Sequence, residues 1–262
     1  LEAIAAIAQA AHVPMIVDNT TATPYLCNPI QYGATLVTHS LTKYLTGNGT
    51  VTGGAIVDSG AVDWTAAGKF PSPTEPEPAY HGLKFHETFG PAAFTFHSIA
   101  VGLRDLGMTM NPQGAHYTLM GIESLSLRMQ KHVANAEKIA AWLEGHEAVA
   151  SVTYAGLDSS PYKARAQKLC PKGAGPRFTV QLKGGYESCV KFVNGLELFS
   201  HVANLGDARS LVIHPASTTH RQLTDEQKVA AGAAPNSVRL SIGIENAEDL
   251  MADLDQALKA AS

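Results

Sequence analysis

Three short apolar runs, Met15-Ile16-Val17, Leu36-Val37 and Ala55-Ile56-Val57, constrain this chain most. Each is too short for a helix, is bounded by turn-forming residues, and reads as a buried strand. Residues 1–11 place Leu1, Ile4, Ala5 and Ile7 at helical spacing and predict an amphipathic helix before the first strand. A helix feeding a strand is the middle of a βαβ unit, so the expected fold class is α/β. Open α/β sheets take their ligands beyond the carboxyl ends of strands. Asp18 ends the first run, and Ser40, Thr42 and Lys43 follow the second.

That set of side chains suits pyridoxal phosphate. A lysine amine can hold an aldehyde covalently, a carboxylate can keep a pyridine nitrogen protonated, and hydroxyls can hold phosphate oxygens. Taken singly, each residue has an ordinary explanation, because a lone Asp caps or turns a chain and a lone Lys is solvated. S-x-T-K alone is a weak signal. The ordered run of strand, D-N-T, strand, H-S-L-T-K-Y, glycine-rich loop and G-G strand is far more specific.

V-D-N-T-T-A-T-P-Y-L-C-N-P-I (17–30) and T-H-S-L-T-K-Y-L-T-G (38–47) resemble the cofactor-lysine region of the pyridoxal-phosphate enzymes of cysteine and methionine metabolism. The resemblance implies Lys43 as the attachment lysine, Asp18 as the partner of the ring nitrogen, and Ser40 and Thr42 as phosphate-binding hydroxyls. It also implies a fold-type I large domain with a mostly parallel sheet, followed by a smaller α+β C-terminal domain. Relatives carry a substantial portion before this point. A start inside a βαβ unit therefore leads us to expect a C-terminal fragment, or one piece of a split protein, that needs an N-terminal piece as partner.

Residues 20–33 read as a loop with at most a helical turn. T-G-N-G-T is not a nucleotide phosphate loop, because no G-K-[ST] follows it. The stretch 58–91 is long and rich in Pro, Gly and aromatic residues, which marks a functional or interaction segment. Its E-P-E-P-A-Y-H-G, with F-G-P-A-A-F and L-R-D-L-G after it, resembles an insertion of the O-acetylhomoserine sulfhydrylases. His81 and His86 have no third ligand at useful spacing, so no metal site is expected. N-P-Q-G at 111–114 breaks a helix; 115–143 then reads as one or two helices whose apolar stripe is ordinary core, with Gly145 as stop.

From residue 149 the pattern changes. Strands are predicted at 149–154, 178–182, 201–203 and 238–242, and helices at 162–169, 186–196, 224–231 and 247–261. Thr224 and Gln227 form a capping-box pattern. Strands mixed with helices suggest an α+β domain, giving a boundary between 1–118 and 119–262. V-R-L-S-I-G-I-E (238–245) puts Arg239 and Ser241 on one face of a strand. An Arg so placed can meet a carboxylate with two parallel hydrogen bonds, or can form a surface salt bridge. The resemblance implies that Arg239 binds the substrate α-carboxylate, and that Asn204 stands beside it where many relatives carry Ser. The stretch 204–221 also resembles the sulfhydrylases; His214 and His220 read as structural hydrogen-bonders.

Nineteen Lys and Arg against 23 Asp and Glu leave a net charge of −4, which gives no electrostatic reason to expect nucleic acid or an anionic membrane. Three widely spaced cysteines without a C-x-x-C pair indicate neither zinc ribbon nor redox dithiol, and reduced thiols in the cytoplasm are expected. The resemblance implies a homo-oligomeric transferase, a homotetramer, that joins O-acetylhomoserine to sulfide or a thiol. Cystathionine γ-synthase and methionine γ-lyase, of the same family, and a non-catalytic fragment serving as an assembly partner are the alternatives.

Overall fold

The computed structural model describes residues 1–261 as a mixed α/β chain in two compact units. The first holds Leu1–Thr20, Asn28–Leu41 and Val51–Tyr117; the second holds Thr21–Cys27, Thr42–Thr50 and the chain from Thr118 onward.

In the first unit the three apolar runs become β1 (Ile16–Asp18), β2 (Leu36–Ser40) and β3 (Gly54–Asp58). β1 runs parallel to β2, with Asp18 opposite Thr38, and β3 returns antiparallel, with Gly54 opposite Ser40. The expected mostly parallel sheet is therefore mixed among the described residues. The connection 41–53 holds no crossover helix, and a parallel return would need one. The helix Glu2–Ala10 precedes β1 as expected, yet Ile4 and Ile7 are exposed.

The segment expected as a long loop folds on its own aromatic residues. Short helices run at Pro71–Thr74, Phe85–Phe89 and Ala93–His97. Trp64 stacks on Phe94 at 5.7 Å and meets Phe70 edge-on at 5.3 Å. Trp64, Phe85 and Ala93 bury with Leu36 of β2 in one cluster, so aromatic burial supplies the order that regular structure does not. The preceding helical stretch ends at Asp105, ahead of N-P-Q-G, and the motif opens a helix instead of breaking one: Pro112 begins the helix Pro112–Glu123, where its missing N–H has no intrahelical partner to lose.

In the second unit five strands lie in the order β4-β5-β8-β7-β6, comprising β4 (Val149–Thr153), β5 (Arg177–Leu182), β6 (Ser200–His201), β7 (Leu211–Ile213) and β8 (Ser237–Ser241). All pairings are antiparallel except β6 with β7. The helices Leu125–Glu144, Gly185–Gly195 and Ala247–Ala261 join Val180, Leu240, Phe192, Leu250 and Leu254 in the principal core. The capping box forms at Thr224 and Gln227 in both directions, and Gly145 ends the long helix. β7 is not predicted from the sequence, because all three of its residues are buried and no alternation marks them.

Candidate active site

In the first unit, β1 and β2 carry the predicted Asp18 and Ser40. Asp18 accepts a hydrogen bond from the Thr20 N–H at 2.9 Å, and the Thr20 hydroxyl accepts one from the Ser40 N–H at 2.8 Å. One threonine thus ties two predicted site residues on neighbouring parallel strands. The Thr20 hydroxyl, and next its N–H, hold the Asp18 carboxyl below its ordinary pKa, so Asp18 is ionised at neutral pH. His39 lies buried in β2, and burial pushes its pKa down against the pull of Asp18.

The second unit carries the predicted Thr42, Lys43, Asn204 and Arg239. Lys43 sits in the turn Leu41–Leu45 with non-helical backbone angles of φ −96° and ψ −132°. Its Nζ donates to the side-chain oxygen of Asn204, whose backbone carbonyl accepts from the Arg239 guanidinium at 3.2 Å. The alternation along β8 turns Val238 and Leu240 into the core and leaves Arg239 half-buried on the other face. Two cations from distant parts of the sequence therefore converge on one uncharged residue.

Burial, and then the Arg239 charge, push the Lys43 amine below its ordinary pKa. Burial, and then Arg177, do the same to Arg239, which pairs with no carboxylate among the described residues. A half-buried guanidinium without a counter-ion is poised for an anionic ligand.

Behind these groups lies a closely fitted floor that the sequence did not reveal. The Tyr44 side chain is fully buried, 3.5 Å from the Ser241 hydroxyl, and burial pushes its pKa up to about 12. The Ser241 oxygen also accepts from the Gly206 N–H at 3.3 Å. Gly206 has φ +82°, and a Cβ there would stand 2.6 Å from the Tyr44 nitrogen and 2.9 Å from the Lys43 Cβ. Only glycine permits that approach.

Other polar side chains are occupied elsewhere. His214 bonds to Ser217 and to the Pro235 carbonyl, and His220 to Thr219. The thiols of Cys27 and Cys170, far apart in sequence, are neighbours, and burial raises the pKa of both, Cys170 to about 11. Protonated buried thiols are poor nucleophiles.

Each unit offers groups of the kind pyridoxal phosphate uses. The first carries an ionised carboxylate and the Ser40 hydroxyl; the second carries an amine biased toward its uncharged form, the Thr42 hydroxyl and a glycine cleared against the lysine turn.

Comparison with known proteins agrees. A family model described as Cys/Met metabolism PLP-dependent enzyme matches residues 1–259. An O-acetyl-L-homoserine sulfhydrylase of Leptospira meyeri is 47% identical over 268 residues, covering 99% of this chain and 60% of the relative. O-acetyl-L-homoserine sulfhydrylase 1 of Thermus thermophilus is 49% identical, covering 98% and 61%. The chain thus spans about 60% of the length of the curated relatives it matches. Among solved structures, an O-acetylhomoserine (thiol)-lyase of Campylobacter jejuni superposes with a TM-score of 0.93 at 39% identity, covering 98% of this chain and 62% of that one. It carries a pyridoxyl-lysine monophosphate. A cystathionine gamma synthase of Xanthomonas oryzae, in complex with aminoacrylate and cysteine, gives 0.80 at 35%, covering 99% and 59%.

Proposed function

Because the chain belongs to the family of Cys/Met metabolism PLP-dependent enzymes, we propose that it forms the lysine-bearing part of an O-acetylhomoserine sulfhydrylase. The reaction replaces the γ-acetoxy group of O-acetylhomoserine with sulfide or a thiol: the Cγ–O bond breaks, a Cγ–S bond forms, and acetate leaves. One observation carries this reading, the convergence on Asn204 of the Lys43 amine and of the Arg239 guanidinium, which has no carboxylate partner among the described residues. An amine that can be displaced and a fork that can hold a carboxylate are the two things an amino-acid substrate requires.

When bound, pyridoxal phosphate supplies the electron sink for charge developing on substrate carbons. Lys43 would be the covalent attachment point, and its Nζ would take the proton from the substrate Cα and then move protons at Cβ. Burial, and then the Arg239 charge, bias this amine toward its uncharged, proton-accepting form. Asp18 holds a proton on the ring nitrogen by its negative charge. Ser40 and Thr42 donate to phosphate oxygens. Arg239 orients the substrate by its α-carboxylate, and Asn204 holds the resting amine beside it. In the same proposal residues 1–118 belong to the cofactor-binding domain and 119–262 to the bridging helix and C-terminal domain. Further N-terminal chain completes the cofactor site within a homo-oligomer.

Product analysis decides the reading. Homocysteine and acetate from O-acetylhomoserine and sulfide are expected, with no methanethiol from methionine alone. Cystathionine formed from cysteine with equal or better efficiency than homocysteine from sulfide would move the protein to the cystathionine-synthase reading.

A further inference from the structure

The floor beneath Lys43 is held from one side by a helix that the proposed chemistry does not use. Along Leu125–Glu144, Arg128, His132 and Asn135 stand at helical spacing on one face. All three bond to backbone carbonyls. Arg128 donates to the Tyr44 carbonyl at 2.8 Å, the Leu45 carbonyl at 3.4 Å and the Gly121 carbonyl at 2.7 Å, and its Nε donates to the Ser124 hydroxyl at 3.1 Å. His132 bonds through Nδ1 to the Ile242 carbonyl at 2.6 Å. Asn135 donates to the Gly243 carbonyl at 3.1 Å and the Glu245 carbonyl at 2.8 Å. One end of this polar stripe grips the two residues after Lys43; the other grips the chain just past Arg239 and Ser241.

Two glycines are shaped around that grip. Gly47 has φ +81°, and a Cβ there would overlap the Arg128 guanidinium. A Cβ at Gly121 would stand 2.5 Å from the Leu45 carbonyl oxygen. Arg128 forms no ion pair with a carboxylate among the described residues, and burial alone pulls its pKa down. A half-buried guanidinium spent on three carbonyls and one hydroxyl is a costly arrangement for stability alone, because its charge goes uncompensated. It is a natural one for fixing a turn, since the planar fork reaches several acceptors in one rigid geometry.

We propose that Arg128 is a positioning residue for the reaction: by clamping the Tyr44, Leu45 and Gly121 carbonyls it fixes the turn that carries Lys43 relative to Arg239. This rests on the reading of Lys43 as the attachment lysine. The clamp acts through the backbone, so its loss moves the amine without removing any group that touches substrate.

The test uses the complete protein, with any polypeptide outside residues 1–262 retained, and compares wild type with Arg128→Gln and Arg128→Lys. Two quantities are read: hydrogen exchange of the 44–50 amides, and the rate at which added pyridoxal phosphate becomes attached to Lys43 in apo-protein. Faster exchange confined to 44–50 is expected, with β5 and β8 unchanged. Attachment should slow roughly 10- to 100-fold, the order expected for an ångström-scale misplacement. Lysine should rescue only in part, since a point charge cannot reach all three carbonyls. Wild-type exchange, or attachment at the wild-type rate, overturns the proposal. So does a uniform rise in exchange across the sheet, or failure of both variants to fold, since Arg128 would then only stabilise the unit. Attachment to a different lysine in the wild type defeats the reading of Lys43, while exchange at 44–50 still decides the clamp.

Discussion

The Lys43 amine donates to the side-chain oxygen of Asn204, a residue 161 positions further along the chain. The acceptor is neutral, and that matters. A carboxylate there would stabilise the ammonium form and oppose the downward pull of burial and of Arg239. Asn204→Asp should therefore shift the pH dependence of pyridoxal phosphate attachment toward higher pH and slow attachment at neutral pH. Asn204→Ser should leave the pH dependence close to wild type. Attachment rates followed by absorbance between pH 6 and 10 would check this; superimposable profiles for Asp and Asn would show that Lys43 does not sense residue 204.

Arg239→Lys should weaken substrate use more than it weakens the fold. Charge-assisted hydrogen bonds of this kind contribute about 1.5–3 kcal/mol, so kcat/KM for O-acetylhomoserine should fall about 10- to 150-fold. Most of the change should lie in KM, while the thermal midpoint stays near wild type. An unchanged kcat/KM would return Arg239 to an ordinary surface role.

Asp18→Asn should keep the fold and lose the reaction. The amide oxygen can still accept from Thr20, whose N–H lies 2.9 Å away, but it cannot hold a proton on a ring nitrogen by charge. Steady-state turnover beside a melting curve separates the two effects. Near-normal turnover would leave Asp18 as a strand-end turn former.

These residues were legible in the sequence for different reasons. Asp18, Ser40 and Lys43 lie next to strands with sharp ends, and Arg239 lies in an alternating strand, so local order gave their positions, while the role expected of Arg239 came from the family resemblance. β7 was not legible, since its three buried residues lie within a polar stretch and carry no period. Nor was the Arg128 clamp. Its acceptors Tyr44 and Leu45 lie more than 80 positions away, and in the sequence Arg128 is simply a polar residue between the core positions Leu125 and Met129. Gly206 was visible only as part of N-L-G-D; its need to be glycine comes from the turn at Lys43 pressed against it.

His132 gives a pH prediction for stability. Burial lowers its pKa from 6.5 to about 4 in the folded chain, so below pH 6.5 the unfolded state binds the extra proton. Stability from this group is complete above pH 6.5 and is lost as pH falls from there toward 4, by up to on the order of 3 kcal/mol. Urea midpoints measured between pH 4 and 8 should show this slope in wild type and a flatter one in His132→Gln. Equal slopes would mean that other groups carry the acid sensitivity.

The proposed function stands or falls with Lys43 as the residue that holds pyridoxal phosphate. Borohydride reduction of the cofactor-loaded protein, followed by proteolysis and mass mapping, tests it most directly. One pyridoxyl group is expected, on the peptide containing Lys43, and its loss in Lys43→Ala. A pyridoxyl group on Lys69 or Lys84 in the wild type, with Lys43 unmodified, would contradict it.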